Sequence, residues 1–125
     1  MLKKLAFVAA IGYSILLATV CLITLNDLPD VGISFADKVF HFLAYGLLTI
    51  LWYTTFVLTF NFKRNQALKF AFILAVIFGI VIEVLQGTLT VTRSLDVYDM
   101  VANTIGAILA SLVLMLKNKI QVKNF

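Results

Sequence analysis

The chain alternates between long apolar runs and short polar connections. Apolar runs cover about residues 5–25, 39–60, 67–87 and 97–116. Each is long enough for the roughly 20 residues that a helix needs to cross the hydrocarbon core of a bilayer. None shows the period-two alternation of a strand, and strands span a membrane only as closed barrels. The pattern therefore predicts an all-α, polytopic membrane protein: a bundle of four transmembrane helices forming a single domain over residues 1–125. The connection Asp27-Leu28-Pro29-Asp30-Val31-Gly32 carries the proline and glycine of a loop. Lys3 and Lys4 before the first run resemble the start of a signal peptide. The run is long, however, and no small-x-small cleavage site follows it, so it reads as a retained helix.

Composition agrees with lipid as the solvent. The 125 residues are 62% hydrophobic and 13% charged, with a mean hydropathy of +1.06. A soluble domain is nearer half apolar and a quarter charged. The net charge of +4 does not indicate a nucleic-acid partner, because the cations cap apolar runs rather than forming a basic stripe. Their distribution predicts orientation instead. Lys3, Lys4, Lys63, Arg64, Lys69, Lys117, Lys119 and Lys123 fall on one side of the four-span arrangement. Lys38 and Arg93, with every acid (Asp27, Asp30, Asp37, Glu83, Asp96 and Asp99), fall on the other. The positive-inside rule then places both termini in the cytoplasm. The expected location is a membrane, crossed several times, with the bilayer as the main partner.

Ionisable residues inside spans cost roughly 2.5–3.5 kcal/mol each at a helix centre and usually face the bundle interior. Here they gather at one depth. Asp37, His41 and Tyr45 recur every four residues, so they share a helix face. Glu83 and Gln86 lie near the outer end of the third run, Arg93 in the next connection, and Asp96, Asp99 and Asn103 along the start of the fourth. Lys38 adds a cation at the same level. These spacings predict a polar pocket at the outer leaflet. Structural roles compete for each group. Asp37, Asp96 and Asp99 suit helix N-termini, where an acid is favoured by the dipole. Glu83 could pin the bundle by pairing with Arg93 or Lys38, and Gln86 and Asn103 could be interhelical hydrogen-bond glue.

Ligand counting argues against a metal or other cofactor. One histidine and the lone Cys21, inside an apolar run, do not make a zinc set, although a carboxylate site for calcium or magnesium stays open. Ala102, Gly106 and Ala110 repeat every four residues as a small-residue face. That face serves close helix packing, within the bundle or in a homo-oligomer.

Taken together, Asp37-Lys38-x-x-His41-x-x-x-Tyr45, Glu83-x-x-Gln86 and Arg93-x-x-Asp96-x-x-Asp99-x-x-x-Asn103-x-x-Gly106 resemble the VanZ-like family of bacterial membrane proteins. The resemblance covers the second to fourth spans. It carries no established reaction; the family's named member gives low-level resistance to teicoplanin, a lipid-tailed glycopeptide. Two functions follow as expectations. One is a binding site for an anionic or lipid-linked envelope molecule, formed by Asp37, Lys38, His41, Tyr45, Glu83, Gln86, Arg93, Asp99 and Asn103. The other is an intramembrane enzyme with His41 or Glu83 as general base and Asp37 orienting the imidazole. No nucleophile elbow or phosphate loop supports the second. A purely structural polar cluster is the third reading.

Overall fold

A computed structural model describes residues 1–22, 33–89 and 97–123; the side chains of 33–37, 86, 89, 97 and 120–123 also lie outside the described set. The fold is the expected all-α one. Helices α1 (Leu2–Leu22), α2 (Ile33–Leu58), α3 (Arg64–Leu89) and α4 (Val97–Lys123) follow one another, with no strand among the described residues. Each contains 21 or 22 consecutive residues apolar enough to cross a membrane. Only 17% of that stretch is buried in α1 and 44% in α2, so most of the apolar surface must be covered by lipid. Leu43 and Leu47 of α2, Ile73 and Ile77 of α3, and Ile105 and Leu112 of α4 all point outward. Such a coat would be untenable in water.

Helix α2 is the hub. It packs most extensively on α4, then on α3 and α1, while α3 also packs on α4 and touches α1 lightly. Lipid tails are as apolar as leucine, so helices in a bilayer associate through close packing and hydrogen bonds rather than through exclusion of water. Both devices are present. On the α2–α4 seam, a Cβ added at Gly106 would collide with the Phe42 carbonyl oxygen and lie 3.0 Å from its carbon. Gly46 faces Gly106 from α2, and Ala110 is buried beside it. The small-residue face of α4 is thus used inside the bundle. Gly106 and Ala110 pack inside the bundle, one of the two uses expected of that face, and Ala102 is half-buried.

Helix α1 is held by hydrogen bonds at several depths. The Tyr13 hydroxyl donates to the Ala44 carbonyl at 2.7 Å, and the Trp52 indole N–H donates to Ser14 Oγ at 2.9 Å. Thr55 donates to the Ala6 carbonyl and Thr59 to the Lys3 carbonyl. At the end of α2, Asn61 adopts a left-handed conformation with φ of 58°. That turns the chain tightly enough for the Phe62 N–H to reach the Phe56 carbonyl and for the two rings to stack at 5.4 Å.

The seam makes a sharp stability contrast. Gly106→Ala should destabilise the bundle by about 1–3 kcal/mol, the usual cost of overpacking. Gly12→Ala, whose Cβ would meet nothing within 4 Å, should be neutral or gain up to about 1 kcal/mol from helix propensity. Unfolding in mixed micelles by denaturing detergent measures both.

Candidate functional site

Helices α2 and α4 run parallel and start at the same end, so their first turns lie side by side. Lys38 faces Asp99, His41 faces Asn103, and one turn further in Phe42 meets Gly106. Helix α3 returns antiparallel and brings its last turns to the same level. Gly79 packs against Tyr45 and Asn103, and Glu83 lies one turn beyond it.

Within this cluster the Lys38 ammonium contacts Asp99 Oδ1 at 2.6 Å. Asp99 Oδ2 lies 3.5 Å from His41 Nε2. On the other edge of the ring, His41 Nδ1 is 2.9 Å from Asn103 Oδ1. An amide oxygen only accepts, so Nδ1 carries the proton and donates it. Nε2, on the opposite edge, is the nitrogen that faces Asp99. Below, the Tyr45 ring stacks on the imidazole with centroids 6.1 Å apart and planes 14° apart. Phe40 closes on the imidazole edge-to-face from the lipid side. His41, Tyr45, Glu83, Asp99 and Asn103 are all at most 2% exposed. Lys38 is partly exposed and its stem lets the ammonium sit at the mouth.

Burial of this kind demands compensation. The described residues supply one ammonium against two carboxylates, a formal charge of −1 with the imidazole neutral. A nitrogen of His41 and one oxygen each of Glu83 and Asp99 all lie within 4.8 Å of one another. Among the described residues, the Tyr45 hydroxyl and Asn103 Nδ2 are buried with no hydrogen-bond partner. The arrangement is therefore a buried polar cluster of three helices, with the Lys38 ammonium at its mouth.

Of the residues expected from the sequence, Lys38, His41, Tyr45, Glu83, Asp99 and Asn103 come together. The side chains of Asp37 and Gln86, and the residues Arg93 and Asp96, lie outside the described residues. Among the described residues, Asn103 and Asp99 meet the His41 ring across the α2–α4 seam; the Asp37 side chain, which same-helix spacing places beside it, lies outside the described residues. Asp99 does more than favour the start of α4, because it holds Lys38 and faces His41. Gly79 escaped notice in the sequence. A Cβ there would meet Asn103 Nδ2 at 2.9 Å and Tyr45 Cε2 at 3.2 Å. Its one sequence signal is a glycine one helical turn before an intramembrane glutamate.

Residues 3–118 match the VanZ/LLP1 family, a span that includes every described member of the cluster. The chain belongs to the VanZ/LLP1 family. It is also 35% identical over 92 residues, 73% of its length, to an uncharacterized protein of Schizosaccharomyces pombe. The chain spans about half of that relative, 54% of its length. No solved structure matches it. As a VanZ/LLP1 member with four membrane-crossing helices, it is a multi-pass membrane protein.

In this VanZ/LLP1 chain the Lys38–Asp99 pair should be strongly non-additive. Asp99→Ala strips Lys38 and His41 of a buried acceptor and should destabilise by about 2 kcal/mol, less than a fully buried pair because Lys38 reaches the surface. Lys38→Met with Asp99→Leu should recover most of the loss. Detergent-induced unfolding of the single and double variants tests the cycle.

Proposed function

We propose that this protein binds an amphiphile, an anionic or lipid-linked membrane molecule, with its headgroup at the polar cluster and its tail in an adjoining apolar groove. The continuity of the two features carries the reading. A groove of about 700 Å³ is lined by Trp52, Phe56, Phe70, Ile73, Ile77 and Phe78, among others. That volume suits a bound small molecule. Phe70, Ile73 and Ile77 are roughly half exposed, so the groove opens onto the lipid-facing side of α3. Phe78 stands in its wall, and its ring lies 6.0 Å from that of Tyr45, which floors the polar cluster. A hydrocarbon chain lying in the groove would thus end beside His41.

At the mouth, Lys38 offers a cation to a phosphate or carboxylate, and the adjacent starts of α2 and α4 add their positive dipole ends. Asn103 and Tyr45 have donor capacity left for hydroxyl or carbonyl groups of the headgroup. The separation of cations from acids along the sequence favours cytoplasmic termini and an outer-leaflet position for this cluster. Similarity to a protein of a fission yeast, an organism without peptidoglycan, favours a phospholipid-like headgroup over a cell-wall precursor. A lipid-tailed glycopeptide shares the two-part chemistry and is the competing occupant.

Mass spectrometry of the purified protein tests the reading. One headgroup class should be enriched at least tenfold over its share of the membrane. Lys38→Gln should abolish the enrichment, whereas Ile77→Trp should lower total bound lipid whatever its headgroup. Bulk membrane composition, unaltered by either substitution, would refute it. Conversion of the enriched lipid by wild type, lost in His41→Ala and Glu83→Gln, would replace binding by catalysis.

A further inference from the structure

We propose that His41, Glu83 and Asp99 form a binding site for one divalent transition-metal ion, of the zinc or manganese class. The three come from three different helices, α2, α3 and α4, and are each at most 2% exposed. One ligand atom from each lies within 4.8 Å of the others. Two ligands held about 2.1 Å from one ion, as nitrogen and oxygen are around zinc, and 3.5 Å apart, as His41 Nε2 and Asp99 Oδ2 are, subtend an angle close to tetrahedral. A rotamer adjustment of Glu83 closes the third side.

The hydrogen bonding agrees with this geometry. A metal-bound histidine presents a bare nitrogen while its other N–H is fixed by an outer partner. Asn103 Oδ1, 2.9 Å from His41 Nδ1, is placed to be that partner, with Nε2 turned to the carboxylate side. Asp99 divides its two oxygens in the same way, Oδ1 to Lys38 and Oδ2 toward the ring. An independent sign of a ligand is the pair of buried polar atoms at the floor, the Tyr45 hydroxyl and Asn103 Nδ2, that no protein group satisfies among the described residues.

The donor set narrows the ion. One imidazole with two carboxylates suits zinc or manganese. Calcium wants six to eight oxygens and magnesium a near-octahedral shell with several waters, more than this buried cluster provides. Three protein ligands leave a coordination position open, the pattern of reactive rather than purely structural zinc sites. The site does not depend on the amphiphile reading, since its ligands are complete without Lys38 or the groove.

Metal-stripped protein in detergent, titrated separately with zinc and manganese chloride, tests the proposal by metal content after gel filtration and by calorimetry. Wild type should take up one equivalent of at least one ion. Glu83→Gln and Asp99→Asn, close in shape to the native residues, should each bind at least about a hundredfold more weakly. Asn103→Ala should weaken binding about tenfold, as loss of an orienting partner does. Lys38→Gln, which removes a competing cation from Asp99, should bind as tightly as wild type or tighter. Circular dichroism and elution volume identify any variant that has lost the fold, and the wild-type titration stands without the variants. Absence of saturable uptake by wild type, or uptake unchanged in folded Glu83→Gln and Asp99→Asn, would overturn the site.

Discussion

The backbone contact between Gly106 and Phe42 sets the geometry on which the polar cluster depends. Two parallel helices can slide by a turn, about 5.4 Å, and find another packed arrangement. Only a residue without Cβ admits the Phe42 carbonyl at this position, so the glycine fixes the register of α4 against α2. One turn toward the helix starts, that register places His41 against Asn103 and Lys38 against Asp99. A shift of one turn would present Lys38 to a different level of α4 and leave intramembrane charges to the lipid. The small residue and the ionic cluster are parts of one packing solution, which is why both occupy the same seam.

The remaining helices adapt to that pair. Helix α3 contributes Glu83 and, through Gly79, allows Asn103 and Tyr45 to approach its backbone. Helix α1 stands apart from the triad of His41, Glu83 and Asp99, which comes from α2, α3 and α4. It is fastened to α2 by side-chain donors such as Tyr13, Trp52 and Thr55, whose acceptors are α1 or α2 carbonyls and a serine hydroxyl. In a medium that offers no water, those bonds do the work that hydrophobic burial does in a soluble protein. A helix held by hydrogen bonds need not pack flush along its whole length. The groove lined by Ser14, Trp52 and the α3 aromatics is what remains where it does not.

Much of this was legible in the chain, and the illegible part has a physical cause. Helix type and number follow from run length, because the bilayer imposes a minimum span. The depth of the polar groups follows from the four-residue recurrence of His41 and Tyr45 and of Asp99 and Asn103. Which groups touch across helices does not follow, since periodicity gives a face but not its neighbour. Spacing alone couples His41 to Asp37, four residues away, but it does not show that the ring also meets Asn103 and Asp99, more than fifty positions distant in sequence. Asp99 was ambiguous because a helix-start acid and a site acid carry the same local signal. Counting histidines and cysteines also says nothing of where the carboxylates lie in space, and the structure sets one ligand atom each of Glu83 and Asp99 within 4.8 Å of a His41 nitrogen. Two carboxylates from separate helices become a ligand set only when α3 and α4 converge on one imidazole.

The cluster and the groove meet at an aromatic joint, and that joint gives the molecule its functional logic. Phe78 belongs to the groove wall, Tyr45 lies against Phe78, and His41 stacks on Tyr45. Flat rings can border hydrocarbon on one face and polar groups on the other without leaving a hydrogen-bonding atom in lipid. The Tyr45 hydroxyl is buried without a partner among the described residues, an arrangement that costs about 1–3 kcal/mol if nothing satisfies it. Stability alone would favour phenylalanine at this position. The proposed amphiphile would answer that cost, since an occupant at the joint would accept the Tyr45 hydrogen bond, with its polar end toward His41 and an apolar path toward Phe78. On that proposal, headgroup and tail would belong to one bound molecule.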